Sequence, residues 1–512
     1  HGVTGSGKTE VYLRALAAAV DAGRTGLLLV PEIGLTPQTV ERVTARFGDR
    51  VAVLHSRLGV GERRDEWERI REGGADVVVG PRSALFAPLG NLGVVVLDEE
   101  HDQAYKQEEG LRYHAREAAA ELARRTGVVL VLGSATPSLE AMVACERGEA
   151  SYFRLPVRPG GRMLPPVELI DLRQELRAGR TGALSRRLRE ALAEAMARGE
   201  QAILLLNRRG YATFVICREC GHVMRCPHCD VSLTYHQSQQ FLLCHYCGHA
   251  GPLPDTCPNC RGRYIRYFGQ GTERLCEEVG RLFPAARVAR MDQDATAQKN
   301  AHLELYRALR AGKIDILIGT QMVAKGLDLP GVTLVGVVAA DASLNRPDFR
   351  AAERTFQLLI QVAGRAGRGE APGRVFLQTY NPGHYSLACA ASYDYEGFYQ
   401  REKEFRLAGR YPPYTELVRI GLSGMDEEGT RRAADLLAGA VRAALGGAAE
   451  VLGPTSALVR RVENRYRYHM LIKADELQTV GPAIEGELRG FRASPAGRRV
   501  AVVVDVNPNT VL

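Results

Sequence analysis

No run of this 512-residue chain stays apolar for the roughly 18 residues that a membrane span needs, and no signal peptide is visible. The chain is therefore expected to be cytoplasmic, with no membrane partner. Cysteine is nearly absent outside one stretch. Of eleven, eight fall between Cys217 and Cys260, while Cys145, Cys276 and Cys389 stand alone, as buried inert thiols do. Such crowding argues for metal before disulfides in a reducing compartment. A strong net charge is missing too: +8 permits nucleic-acid binding without requiring it. Residue 1 is His, and a phosphate-binding pattern begins at once, with no room for the strand that feeds it. The chain is thus expected to be the C-terminal part of a longer protein. What is present is ordinary globular composition, 45% hydrophobic and 25% charged, enough for roughly three domains or more.

The first ten residues contain G-x-x-x-x-G-K-T, a phosphate-binding loop. Glycines at 2, 5 and 7 let the backbone curl so that N–H groups face a phosphate. Lys8 reaches the β- and γ-phosphates, and the Thr9 hydroxyl holds Mg²⁺. Gly2, Thr4, Gly5, Ser6, Gly7, Lys8 and Thr9 are the expected ATP cradle; the alternative is an ordinary glycine-rich turn. Leu13, Leu16, Ala17 and Val20 recur at helical spacing. They predict a helix over 9–22, stopped at Gly23, with its N-terminus aimed at the phosphates.

Apolar runs at 27–30, 51–54, 76–79, 94–97 and 128–132 alternate with helical patterns. That alternation predicts an α/β lobe with a parallel sheet, its functional residues at the carboxyl ends of the strands. Asp98-Glu99-Glu100-His101 follows the fourth run. Asp98 is assigned to Mg²⁺ and Glu99 to activation of the attacking water. In isolation such a run reads as a solvated acidic turn. The fifth run ends in Gly133-Ser134-Ala135-Thr136-Pro137-Ser138, which alone reads as a helix cap. Between these motifs, 101–107 and 111–116 interleave basic and aromatic residues. Single-stranded DNA wants both, because bases stack on rings and cations track phosphates. Tyr105, Lys106, Arg112 and Tyr113 are the candidates, against a helix face with half-buried Tyr.

The cysteines form four pairs, Cys217-x₂-Cys220, Cys226-x₂-Cys229, Cys244-x₂-Cys247 and Cys257-x₂-Cys260. Eight thiolates make two closed Cys₄ sites for two Zn²⁺, structural in role. Spacing leaves open which pairs combine. Residues 208–268 carry seven Arg and three acids; eight thiolates with two Zn²⁺ cancel that excess, so a non-specific DNA clamp is disfavoured. Tyr235, Tyr246, Tyr264 and Tyr267 are expected to be exposed.

A run at 201–206 before the block and a helix opening near Thr272 after it make the block an insertion in a second α/β lobe. Strands are predicted at 314–318 and 332–338. Gln361-Val362-Ala363-Gly364-Arg365-Ala366-Gly367-Arg368 is Q-x-x-G-R-x-G-R, whose Arg365 and Arg368 can stabilise charge on the γ-phosphate, an effect on the order of 10³–10⁵ in rate. From about residue 410 the composition shifts. Tyr411-Pro412-Pro413-Tyr414 reads as a linker, followed by strands at 417–422, 468–473 and 499–506 and helices at 427–445 and 477–488, a small α+β domain. Arg460-Arg461 and Arg465-Tyr466-Arg467-Tyr468-His469 read equally as a DNA-binding patch or a solvated edge.

Together the phosphate loop, Asp98-Glu99 and Ser134–Thr136 resemble motifs I, II and III of superfamily 2 helicases. Residues 319–328 resemble motif V, with Gly326 and Asp328 at the nucleotide, and 361–368 resemble motif VI. Arg82 and Ser83 then sit where that superfamily touches the DNA backbone. With the cysteine block and C-terminal region, nearly the whole chain resembles the primosomal replication-restart helicases; fork-remodelling relatives lack the eight-cysteine insertion. Leu111 stands where that family often has an aromatic. The resemblance implies two RecA-like lobes, with boundaries at 1–155 and at 156–207 plus 269–409, a zinc insertion at 208–268 and a C-terminal domain at 410–512. It implies a nested zinc arrangement, outer pairs on one ion and inner pairs on the other. It implies ATP-driven 3′-to-5′ movement on single-stranded and forked DNA at stalled forks. The implied partners are single-strand DNA-binding protein, primosome proteins and the helicase loader. A zinc-stabilised loading scaffold with a vestigial ATPase is the alternative.

Overall fold

The computed structural model describes residues 1–512 apart from 32–36, 57, 162, 207–213, 237–239, 268–271, 293–300, 321–322, 324–328, 330, 368–370 and 512. The chain forms two compact units. One is His1–Leu164 with Met322–Asp328 and Ile360–Gly364; the other is Pro165–Gln321, Leu329–Leu359 and Arg365–Leu512. No helix among the described residues is long and apolar enough to cross a membrane.

The first unit is built on a five-stranded sheet of β1 (Thr25–Leu29), β2 (Val51–Val53), β3 (Val77–Gly80), β4 (Leu92–Asp98) and β5 (Val129–Gly133). All neighbours are parallel, in the order β2-β3-β1-β4-β5. The expected runs become these strands with ends moved by a residue or two. Continuous apolar runs suit strands covered on both faces, and alternate residues divide accordingly. Leu28, Val77, Val79, Val94 and Val96 pack with Leu13 and Leu16 of the helix α1 (Lys8–Asp21). Leu27, Leu29, Val78, Val95 and Leu97 form the opposite core. Gly26 permits the close approach, since a Cβ there would lie 2.5 Å from Leu16 Cδ2. Strand order reverses between β1 and β4, the place where open α/β sheets hold ligands at their carboxyl ends. Residues 1–3 run beside β5: Gly2 N–H donates to Ser134 O (2.9 Å) and Val3 N–H to Leu155 O (3.1 Å).

The second unit contains a six-stranded parallel sheet ordered Val288–Met291, Ile316–Gly319, Gln201–Leu205, Val332–Val337, Arg374–Thr379, Val167–Asp171. Leu188, Ala191, Leu192 and Ala195 of the helix Arg186–Ala197 recur at helical spacing and cover it. The C-terminal sheet is antiparallel, ordered Ala449–Val462, Arg465–Ala474, Glu416–Gly424, Ala501–Val506, with the helices Glu427–Leu445 and Leu477–Ala493 on one face. The strand Ala449–Val462 escaped sequence reading because register shifts around Gly453-Pro454 break its two-residue period.

Two local expectations are corrected. Tyr411–Tyr414 is no linker: Tyr411 is buried, its ring stacks on Phe349 (centroids 4.6 Å apart, 2° between planes) and its hydroxyl donates to Cys229 O (2.9 Å). Aromatics beside Pro-Pro marked burial, not a tether. His469 in the basic patch is also buried, its Nε2 donating to His245 O (2.7 Å). The junction closes around Arg406, which is fully buried and donates to Glu353 Oε2 (2.7 Å), Glu402 Oε1 (2.8 Å) and Pro412 O (2.8 Å) while lying over the Phe349 ring.

Removing Arg406 strands two buried carboxylates. Arg406→Ala should cost about 3–5 kcal/mol in denaturant unfolding at pH 7. Burial already raises the Glu402 carboxyl above its ordinary range. A raised acid destabilises the fold as pH climbs past its unfolded value, so the variant's loss should shrink towards pH 5. An equal loss at both pH values would show that charge compensation is not what Arg406 supplies.

Candidate nucleotide site and metal centres

The phosphate loop has the geometry its glycines allow. Gly5 (φ 82°) and Gly7 (φ 91°) are left-handed, and Gly7 precedes α1 without a side-chain cap. The helix N-terminus is thus left open to an anion. A side chain at Gly2 would displace its neighbours, since a Cβ would lie 2.4 Å from Ser6 Oγ and 2.8 Å from Lys8 Cγ. Lys8 Nζ donates to Gly2 O (2.9 Å), and Arg158 Nε braces the loop through Thr4 O (2.7 Å). Ser6 Oγ is buried without a hydrogen-bond partner. An orphan hydroxyl, a lysine and free helix N–H groups in one curl fit a nucleotide's phosphates. Thr9 follows Lys8 in the first turn of α1, half-buried.

Asp98 ends β4 beside this loop. Its Oδ1 accepts from the Tyr12 hydroxyl (2.9 Å) and the Glu99 N–H (3.0 Å). Burial, then the Glu99 charge, push the Asp98 carboxyl up to about 6 against the pull of Lys8. Two adjacent carboxylates that repel each other in a half-dry site suit a divalent cation. Glu99 adopts φ 49°, rare for a non-glycine residue, and its Oε2 is buried without a hydrogen-bond partner. Glu100 N–H to Gly133 O (3.1 Å) and Asp102 N–H to Glu99 O (2.8 Å) hold that turn. The acidic run is therefore split. Asp98 and Glu99 stay half-exposed, while Glu100 turns inward to Ser138 N–H (2.7 Å), Ser138 Oγ (2.9 Å) and Arg116 (3.1 Å). Ser138 also caps the next helix, and Ser134 Oγ sits 2.7 Å from His101 Nδ1.

Tyr12 escaped sequence reading. It stands one turn after Lys8 on α1 and is buried, and burial with the Asp98 and Glu99 charges holds its phenol well above its ordinary range, so it donates. Its signals were the i, i+4 spacing and the glycine at 133.

The DNA candidates divide. Tyr105 and Lys106 are corrected: both are buried, and the Tyr105 hydroxyl lies 2.7 Å from Asp98 O and 3.0 Å from Leu29 O. A short turn, Gln103–Tyr105, capped by Asp102, swings Tyr105 into the core, which the alternating pattern did not reveal. Arg82 donates to Ala104 O (2.9 Å) and Lys106 O, bracing that segment. Ser83 is exposed, Arg112 is half-buried, and Tyr113 is half-buried edge-on to Phe86 (5.1 Å). Arg365 is half-buried; Arg368, Gly326 and Asp328 lie outside the described residues.

The eight cysteines gather into two sets, Cys217, Cys220, Cys257, Cys260 and Cys226, Cys229, Cys244, Cys247, with the sulfurs of each within 4.8 Å of one another. This is the nested pairing. Closest approaches of 3.6 Å (Cys217 to Cys260, Cys226 to Cys247) and 3.7 Å (Cys220 to Cys257) match the edge of about 3.8 Å in a tetrahedron with Zn–S near 2.3 Å. All four pairs fold alike. The N–H after the second cysteine, at Gly221, Asp230, Gly248 or Arg261, donates to the carbonyl of the first. All four of these residues have positive φ, so two knuckles place non-glycines there. The inner set is buried with Tyr246, Phe349, Tyr411, Leu417 and Val511. Tyr246 is thus not exposed; its hydroxyl accepts from Phe349 N–H (3.2 Å). Tyr235 is half-buried, Tyr264 exposed, and the side chain of Tyr267 lies outside the described residues.

A methyl at position 2 should drive Ser6 and Lys8 apart. Gly2→Ala is expected to weaken binding of a fluorescent ATP analogue by about tenfold or more while leaving the thermal midpoint in place. Unchanged affinity would remove Gly2 from the cradle.

Residues 1–143 match the family described as DEAD/DEAH box helicase, and 260–370 match the helicase conserved C-terminal domain. Residues 226–252 match the PriA DNA helicase Cys-rich region domain, and 408–509 the primosomal protein N C-terminal domain. The replication restart protein PriA of Bacillus subtilis (strain 168) is 48% identical over 508 residues, 99% of this chain and 63% of that protein. The PriA of Synechocystis sp. is 46% identical, over 92% of this chain and 58% of that protein. The PriA of Treponema pallidum (strain Nichols) is 43% identical, over 100% of this chain and 77% of that protein. The chain thus spans about three fifths of the length of the first two relatives. With helicase domains on both sides of its cysteine block and these relatives over nearly its full length, the chain belongs to the replication restart protein PriA family.

Proposed function

We propose that the chain is an ATP-dependent 3′-to-5′ DNA helicase or translocase, working at stalled replication forks in replication restart and primosome assembly. The observation that carries this reading is the strand-end pair Asp98 and Glu99 beside a phosphate loop whose Ser6 hydroxyl is unsatisfied. Membership of the PriA family supports the restart role and a site of action in the cytoplasm. Its parts are an ATP-binding lobe at 1–155, a second lobe at 156–207 and 269–409, a zinc insertion at 208–268 and a C-terminal domain at 410–512.

Lys8 and the helix N–H groups bind the β- and γ-phosphates. Thr9 and Asp98 hold Mg²⁺, which when bound neutralises charge between those phosphates. Glu99, its Oε2 unsatisfied, orients the attacking water and takes its proton. Arg365 and Arg368 stabilise charge developing on the γ-phosphate. Gly326 and Asp328 contact the nucleotide. Arg82, Ser83, Arg112 and Tyr113 contact single-stranded or forked DNA, with Arg82 also bracing Ala104 and Lys106. Two Zn²⁺ hold the cysteine block. Single-strand DNA-binding protein, primosome proteins and the helicase loader are the partners.

The decisive measurement is ATP hydrolysis with and without single-stranded DNA. Hydrolysis should rise with DNA and vanish in Lys8→Ala and Arg365→Ala, both of which should still bind DNA. Hydrolysis indifferent to Lys8→Ala would sink the nucleotide assignment; no hydrolysis in the intact chain would favour a loading scaffold. Elemental analysis should find two zinc ions per chain, and one or none would refute the eight-ligand reading.

A further inference from the structure

We propose that Tyr12 is the positioning residue for the Asp98 carboxylate, fixing which of its oxygens is offered to the divalent cation. The inference rests on the assignment of Asp98 to that cation. Lys8 and Tyr12 are four apart on α1 and so share a face. The Tyr12 hydroxyl donates to Asp98 Oδ1 at 2.9 Å, and the Glu99 N–H reaches the same oxygen at 3.0 Å. With both donors on Oδ1, no donor among the described residues is bonded to Oδ2. The carboxylate is thereby held by one oxygen and presents the other.

The surroundings are built around the ring. Tyr12 is 3% exposed, its body packs among Leu16, Leu28 and Val96, and among the described residues its hydroxyl bonds to Asp98 alone. Gly133 is paired with Asp98 across β4 and β5. A Cβ at 133 would lie 1.7 Å from the Tyr12 hydroxyl oxygen and 2.5 Å from Cζ. The glycine therefore exists to let the phenol pass under the strand end and reach the carboxylate. No other residue at 133 is compatible with the bond. Groups that orient a metal-binding carboxylate in this way commonly change metal affinity by about 10–100-fold when removed.

Tyr12→Phe keeps the ring and removes the bond. The test titrates a fluorescent ADP analogue into the full chain at increasing Mg²⁺ and again in EDTA. The variant should need about tenfold more Mg²⁺ for half-maximal binding, keep its affinity in EDTA and melt within a few degrees of the parent. Gly133→Ala, which expels the phenol by sterics, should raise the Mg²⁺ midpoint likewise. An unmoved Mg²⁺ midpoint in Tyr12→Phe overturns the proposal. So does an equal loss in EDTA, since the tyrosine would then support the phosphate loop as a whole. If the parent chain itself binds the analogue without regard to Mg²⁺, the cation assignment of Asp98 fails, and the proposal falls with it.

Discussion

A carboxylate at the end of a parallel strand is the constraint around which the first unit is arranged. For the proposed cation role Asp98 must stay half-dry, and it must not collapse onto Lys8 or be repelled out of place by Glu99. A buried phenol, a backbone N–H and a left-handed turn at Glu99 meet that demand. The price is a glycine at 133, where strand β5 gives up a side chain. Glu100 shows the same logic from within: one acid of the run is spent on Arg116 and Ser138, tying the acidic turn to the segment after β5. Glu99, by contrast, has His101 Nδ1 3.7 Å from its Oε2.

The second unit solves a different problem. Its cysteine block is short, and strands of three residues such as Thr234–His236 and Phe241–Leu243 bury little by themselves. Small domains of this kind need staples. Two four-cysteine clusters would supply them on binding metal, and the inner cluster borrows the rest of its core from Phe349, Tyr411, Leu417 and Val511. His245 Nδ1 on Ser456 O (2.8 Å) and His469 on His245 O (2.7 Å) add polar seams between the block and the C-terminal sheet.

Much of this was legible where chemistry restricts residue type. A phosphate loop tolerates few alternatives to glycine and lysine, and four close C-x-x-C pairs have few uses besides metal; the first folds into a left-handed curl and the second gathers into two four-sulfur sets. Strand existence was legible from apolar runs buried on both faces. What escaped notice depends on a third dimension. Tyr12 looks like any apolar helix position until its distance to Asp98 is known. Tyr105 and Lys106 lie in a run that interleaves basic and aromatic residues, yet a single capped turn buries both. Asp230 and Arg261 occupy left-handed positions that a glycine would have advertised. The nested zinc pairing came from family likeness, since spacing alone is compatible with other pairings.

The stacking of Tyr411 on Phe349 decides how the C-terminal sheet is carried. A sheet joined by a tether takes its orientation from chain entropy and wanders. Here the joining residues are clamped by Arg406 from one side and by the Cys229 carbonyl from the other, while Arg350 NH1 donates to Pro508 O (3.0 Å) at the far end of the chain. Residues 411–414 are therefore held by buried contacts to both the second lobe and the cysteine block. The joining residues are thus part of a buried core, and a substitution at Tyr411 would loosen the cysteine block and the C-terminal sheet together.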